Sequence, residues 1–380
     1  FRLVFGWLPF SVGDLIYSMA LIFMLFWSYK LIKKGFKQLR LKDDLIGIMV
    51  ATSSVFFMFH LLWGLNYYRM PIEQRLNLNS EYTTTALIEV TQKLIVRSNE
   101  LHSEISKDPS KQFEIPYNFK KISNKVTQGY TALSISYPFL AYETPSQKQS
   151  LYSLPLAYMG FSGYLNPFTN EAQVNSKTPV NSMPLTLAHE QAHQLGYAAE
   201  SEANFVAFLA TYNHKDPYFR YAAYTFALRY CLKDLYKRDK TTFKALTNNI
   251  HSGITKDFRN REKQWAQFEN PLEPIFKRVY GGFLKANQQT KGIESYNQVV
   301  ALVVNYMNNT TNPFARQCRM YNPDFLTKPE KENLNSEQIN SSEEKVEKKP
   351  RGRPKKSQKP IAAAIDTDSS DEVIQSDDLD

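Results

Sequence analysis

Pro184-Leu185-Thr186-Leu187-Ala188-His189-Glu190-Gln191-Ala192-His193-Gln194-Leu195-Gly196 contains the pattern His-Glu-x-x-His. Helical residues four apart share a face, so this spacing offers both imidazoles to one metal ion. The glutamate beside the first histidine can then deprotonate a metal-bound water, which is the arrangement of a zinc peptidase. The flanks predict a helix of this extent. Ser182 can cap it, Pro184 suits its first turn, and Gly196 can end it. His189 and His193 are thus the expected zinc ligands. Glu190 is the expected general base for hydrolysis of a peptide or protein substrate.

A catalytic zinc site needs a third protein ligand and an open position. The longer pattern His-Glu-x-x-His-x-x-Gly-x-x-His is excluded, because Gly196 fits but Ala199 stands where the last histidine belongs. A glutamate from the following helix remains, and Glu200 and Glu202 both qualify. Glu202 is favoured because Glu202-Ala203-Asn204 resembles the Glu-Ala-Asp signature of membrane-associated gluzincins, where the glutamate is the ligand. The same resemblance implies a neutral amide hydrogen bond from Asn204 to a histidine, in place of a carboxylate one. Glu200 is then expected beside the site or capping its helix. Tyr197, Tyr212, His214, His251 and Tyr296 are candidate donors to an oxyanion, and no spacing marks one of them out.

Upstream, LIYSMALIFMLFWSYKLI at 15–32 and LIGIMVATSSVFFMFHLLWGL at 45–65 each approach the roughly 20 apolar residues that cross a bilayer. Lys30, Lys33, Lys34, Lys37, Arg40 and Lys42 lie in or beside the loop between them. After the second run come only Arg69 and Arg75, offset by Glu73. The positive-inside rule puts the loop in the cytoplasm and everything after Leu65 outside it. The expected location is therefore the cytoplasmic membrane, multi-pass, with the lipid bilayer as a partner and the His-Glu-x-x-His helix on the extracytoplasmic side. Asp14 favours a helix N-terminus, and His60 is expected to pack at the membrane boundary. A chain that opens at Phe1 is expected to lack an upstream piece.

With 380 residues, 43% of them hydrophobic, the chain can build one large core. Cys231 and Cys318 form no metal knuckle or disulfide framework, and two free thiols are expected. Apolar periodicity predicts helices over 83–107, 119–133, 200–212, 217–237, 241–250, 253–286 (broken near Pro271) and 295–308. Short strands are expected between 138 and 175. One of them, through 170–175, is read either as an edge that pairs with extended substrate or as part of a structural hairpin.

The net charge of +9 is uneven. From residue 310 apolar periodicity vanishes; 345–359 carries eight basic residues against one acidic, and 366–380 carries seven acidic residues. Such a composition reads as a disordered tail with opposed charge blocks. Lys348-Lys349-Pro350-Arg351-Gly352-Arg353-Pro354-Lys355-Lys356 resembles an AT-hook, whose Arg-Gly-Arg-Pro core lies in the minor groove of A·T-rich DNA. The expected topology keeps this tail away from a chromosome, so nucleic acid is not the expected partner.

A family resemblance gathers these signals. The chain resembles a bacterial family of multi-pass membrane proteins, domain of unknown function 3810, with a zincin-like core. The resemblance rests on Pro9-Phe10-Ser11-Val12-Gly13-Asp14, Leu62-Trp63-Gly64-Leu65-Asn66-Tyr67-Tyr68-Arg69 and Pro167-Phe168-Thr169-Asn170-Glu171-Ala172-Gln173-Val174-Asn175. It continues through 189–205, Leu284-Lys285-Ala286-Asn287 and Gly292-Ile293-Glu294-Ser295-Tyr296, covering 1–308. It implies a membrane-anchored zinc metallopeptidase, and the family pattern has one further N-terminal span. The expected fold is mainly α with a small β-sheet: a membrane region over 1–65, a zincin-like α+β domain over 66–309 and a disordered charged tail over 310–380. Two rival readings are a non-catalytic membrane scaffold that keeps a zinc-binding helix, and a membrane-tethered protein whose basic tail binds nucleic acid.

Overall fold

The computed structural model describes residues 2–34, 41–287 and 294–309. Lys37 and Arg40 of the basic loop, Cys318 and the tail with its basic run at 345–359 lie outside the described residues, as does the side chain of Tyr296. The architecture is mostly helical with one small sheet and two apolar N-terminal helices.

After a short α1 (Arg2–Phe5) come α2 (Val12–Lys34) and α3 (Leu41–Leu62). Both are apolar on all sides, long enough to cross a membrane, and unburied along their apolar windows. A helix with no polar face is stable against lipid, not water. α3 ends three residues earlier than the hydropathy implies, because Gly64–Tyr68 tightens into a 3-10 turn. The short α4 (Ile72–Arg75) follows.

The remaining helices are α5 (Thr84–Ser106), α6 (Phe119–Ser136), α7 (Ser153–Tyr158), α8 (Met183–Gln194), α9 (Glu200–Tyr212), α10 (Pro217–Arg238), α11 (Lys240–Thr247), α12 (Ser252–Ala266), α13 (Glu273–Ala286) and α14 (Glu294–Asn308). Local chemistry sets several of their starts. The side chains of Thr83, Asn118 and Asp216 accept from Ala86, Lys121 and Tyr218 backbone N–H groups, satisfying donors that a helix start leaves open. The expected helix over 253–286 is two, interrupted around Pro271. α10 packs along α5 and α9, α9 along α8, and α14 closes over α9 and α10. Leu87, Val90, Leu94, Phe205, Phe208, Leu228 and Val300 are fully buried in this core. Cys231, buried and free, belongs to it too.

Three short strands, β1 (Gln147–Gln149), β2 (Gly163–Leu165) and β3 (Ala172–Val174), form a sheet in the order β1-β3-β2. β3 runs parallel to β1 and antiparallel to β2, with Tyr164 opposite Gln173. Of the two readings of the strand through 170–175, the hairpin holds and the edge does not: β3 pairs antiparallel with β2 and is the centre of the sheet, buried at all three residues. The edge beside the His-Glu-x-x-His helix is β2 instead.

Two of the quoted motifs meet where α2 docks on this sheet. Glu171 accepts from the backbone N–H groups of Val12 and Gly13 at 3.2 and 2.6 Å. Asp14 accepts from Ser150 Oγ, from Leu151 N–H and from the Tyr164 hydroxyl. A Cβ on Gly13 would lie 2.4 Å from Asn166 Nδ2 and 2.9 Å from Gln173 Nε2, so a larger residue there would have to displace these side-chain amides. The N-terminal end of α2 and the C-terminal end of α3 therefore meet the same domain.

Candidate functional site

α8 is held from several sides. Leu187, Ala188 and Ala192 sit fully buried in the core. The Tyr130 hydroxyl donates to the Ala188 carbonyl at 2.5 Å. Gln194 donates to the Ser146 and Asn170 carbonyls at 2.9 and 2.7 Å, tying the helix end to the sheet loops. Pro184 occupies the first turn as expected. Ser182 stands at the cap position, but its side chain caps nothing; its hydroxyl accepts from Arg261 Nε at 3.2 Å instead. Gly196 ends the helix at φ +88°. Its N–H donates to the His193 carbonyl at 2.8 Å and the Tyr197 N–H to the Ala192 carbonyl at 3.2 Å, the paired bonds of a Schellman turn.

That turn delivers α9 back against α8. The Nε2 atoms of His189 and His193 lie 3.0 Å apart, and Glu200 Oε2 lies 3.2 and 3.8 Å from them. His189 Nδ1 meets Asn204 Oδ1 at 2.9 Å, and His193 Nδ1 meets the Tyr197 carbonyl at 2.6 Å. Both partners are acceptors, so each Nδ1 carries a proton, and in a neutral ring Nε2 then presents a lone pair. With both rings neutral, two ring lone pairs and a carboxylate oxygen face a common point, an arrangement that can take a cation. Ligands about 2.0–2.2 Å from a tetrahedral ion are about 3.3–3.6 Å apart, close to the separations found. His189, His193 and Glu200 together can hold a metal ion.

Glu202, the favoured third ligand, does not join them. Its Oε1 accepts from the buried N–H of Ile72 at 2.5 Å. The reason is helical phase: Glu200 and Asn204 are four apart and share the face of α9 turned to α8, whereas Glu202 points away from it. The Asn204 contact was the usable signal, since fixing Asn204 on a histidine also fixes Glu200 at the site.

Glu190 is buried against β2, where a Cβ on Gly163 would lie 2.6 Å from its Oε1. Its Oε2 is buried with no hydrogen-bond partner among the described residues. Burial raises its carboxyl to about 7; Glu200 adds to the rise and the two imidazoles oppose it. Burial would raise Glu200 as well, but when the rings of His189 and His193 are protonated at Nε2 they donate to it and hold it well below the usual carboxylate range. One acid is thus kept as an anion between the rings, and its neighbour is poised to gain or lose a proton near neutrality.

Tyr280 of α13 was not marked by any sequence pattern. Its hydroxyl donates to Glu200 Oε1 at 2.9 Å, leaving Oε2 free to face the histidines. Of the five candidate oxyanion donors, the four whose side chains are described fall elsewhere. Tyr197 lies under the Arg69 guanidinium at 4.1 Å, and Tyr212 is core. His214 bonds the Lys125 carbonyl, His251 packs on His102, and the Tyr296 side chain is outside the described residues. His60 packs between Phe56 and Phe59.

The exit from α3 borders the same site. Trp63 stands edge-on to His193, ring centroids 6.0 Å apart. Arg69 donates to the Leu195 carbonyl and, at 3.3 Å, to the Tyr197 hydroxyl. A cavity of about 120 Å³ opens beside His189, Glu200 and Asn204 and runs towards Tyr221, Asp257 and Trp265.

Residues 1–304 match the model of one protein family, described as a protein of unknown function (DUF3810). No curated protein and no solved structure matches the chain.

Proposed function

The chain belongs to the DUF3810 family, and we propose that it is a membrane-anchored, zinc-dependent peptidase with a zincin-like core. The observation that carries the reading is the convergence of His189 Nε2, His193 Nε2 and Glu200 Oε2 beside a buried Glu190 oxygen that has no partner among the described residues. The donor set, two neutral imidazoles and one carboxylate, suits zinc. When bound, zinc would supply Lewis acidity, polarising a peptide carbonyl and lowering the pKa of water towards about 7.

The protein's own groups do the rest. Glu190 Oε2 takes a proton from the attacking water and passes it to the amide nitrogen as the C–N bond breaks. The water oxygen becomes part of the new carboxylate. Asn204 and the Tyr197 carbonyl keep both Nδ1 atoms protonated, which holds the rings in one orientation. Gly163 keeps space open above Glu190. Since both apolar helices meet the domain at one end, Lys30, Lys33 and Lys42 fall at the opposite end. The positive-inside rule then makes the domain extracytoplasmic.

The test is hydrolysis of a fluorogenic peptide library by the full chain in detergent. Glu190→Gln is expected to lose about 10²- to 10⁴-fold in rate while keeping its zinc. An unchanged rate removes Glu190 from the chemistry. Stoichiometric zinc with no turnover of any peptide favours the scaffold reading.

A further inference from the structure

α13 exposes large apolar side chains at Ile275, Val279 and Phe283, and Leu272 just ahead of the helix is exposed as well; in that order their exposures are 54, 69, 42 and 56%. Spacings of three, four and four residues from Leu272 onward put all four on one stripe. Few water-facing helices of a folded domain carry such a stripe without a covering partner. The adjoining flank is occupied differently: Tyr280 bonds Glu200 and meets Phe161 edge-on, ring centroids 5.1 Å apart. Glu273 and Lys277 pair at 3.1 Å on that side too. By helical phase, Arg278 and Lys285 fall beyond the other edge of the stripe.

What covers the stripe is indicated by where it leads. Phe283 packs against Phe59 of α3, ring centroids 5.8 Å apart. Phe59 is three residues before the end of α3, about 4.5 Å along the axis at 1.5 Å per residue. An amphipathic helix at a membrane surface buries its apolar face about 5–10 Å into the headgroup and acyl boundary. The stripe of α13 meets the last turn of an apolar membrane helix, near the shallow end of that range. Leu65 and Tyr68, in the turn after α3, are also exposed, at 63 and 67%, and belong to the same boundary.

We propose that α13 is an interfacial membrane helix whose Leu272, Ile275, Val279 and Phe283 lie in the lipid boundary, so that the His189–His193–Glu200 site opens at the bilayer surface. Tyr280 and the stripe share one helix, so lipid contact and the Glu200 hydrogen bond are mechanically joined. The placement of α13 does not depend on whether the site hydrolyses peptides.

The test is lipid quenching in the full chain, reconstituted into vesicles of phosphatidylcholine and phosphatidylglycerol with doxyl-labelled phosphatidylcholine. Val279→Cys, Ile275→Cys and, as a control on the exposed face of α11, Lys244→Cys are each labelled with bimane in a Cys318→Ser background; Cys231 is buried. Loss of most of the fluorescence at 279 and 275, with little loss at 244, is the expected result. Equal quenching at all three positions overturns the proposal. So does disulfide crosslinking between unlabelled Val279→Cys chains without lipid quenching at 279, which assigns the stripe to a second copy of the chain. All three substitutions are on exposed helix faces, so a folding failure is not expected; circular dichroism of each variant checks this.

Discussion

His189 Nδ1 donates to the side-chain oxygen of Asn204 at 2.9 Å, and this contact organises the candidate metal centre. It fixes the tautomer of His189, and by helical phase it sets Glu200 against both rings. Asn204→Ala is expected to weaken zinc binding by about 10- to 100-fold, the usual cost of losing such a support. Asn204→Asp is expected to restore it, since a carboxylate accepts the same bond. Competition with a fluorescent chelator measures both.

Glu202 has a structural task, tying α9 to the segment that leaves the membrane through the Ile72 N–H. Glu202→Ala strands that buried donor, at a cost of about 1–3 kcal/mol. The expected outcome is a lowered thermal midpoint with the zinc content intact. Loss of zinc at unchanged stability would return Glu202 to the metal.

Two glycines mark close approaches around the site. Gly196→Ala must hold alanine at φ +88° and brings its Cβ to 2.5 Å from Asn66 Oδ1, so a loss of at least about 1–3 kcal/mol is expected from backbone strain. Gly13→Ala is expected to loosen α2 from the sheet through Asn166. A Cβ on Gly282 would meet nothing within 4 Å outside its own helix turn, and Gly282→Ala is expected to be neutral or slightly stabilising. Thermal unfolding in detergent ranks the three.

Asp257, in the wall of the cavity, accepts from the Tyr221 hydroxyl at 2.5 Å. Burial raises its carboxyl from 3.8 to about 7, with the Tyr221 bond opposing. Between those values the folded state holds more protons than the unfolded chain. The contribution to stability is therefore fully present below pH 3.8 and is lost as pH rises through about 7. Asp257→Asn is expected to flatten this fall. Thermal midpoints of the two proteins from about pH 4 to 8, a range that brackets the titration, measure it; parallel curves would exclude Asp257 as the source.

Much of this arrangement was readable from residue order because it is local. The i, i+4 histidines, Pro184 and Gly196 define α8 within one stretch, and two uninterrupted apolar runs define α2 and α3. The choice between Glu200 and Glu202 is local as well: the Glu-Ala-Asn tripeptide favours Glu202, whereas helical phase puts Glu200 on the face of Asn204. The rest is tertiary. Tyr280 reaches Glu200 from a helix 80 residues on, with no pattern linking the two. The central position of β3 follows from a parallel partner in β1, and strand order is not encoded in alternation. Ser182 had the right residue type for a cap, and Arg261 takes its hydroxyl from another helix.

The most direct test of the central claim is the zinc content of the full chain purified in detergent, for the parent, Glu200→Ala and Glu202→Ala. The account predicts one zinc per chain in the parent and in Glu202→Ala, and loss of it in Glu200→Ala. A parent with no stoichiometric metal, or zinc unchanged by Glu200→Ala, would contradict it.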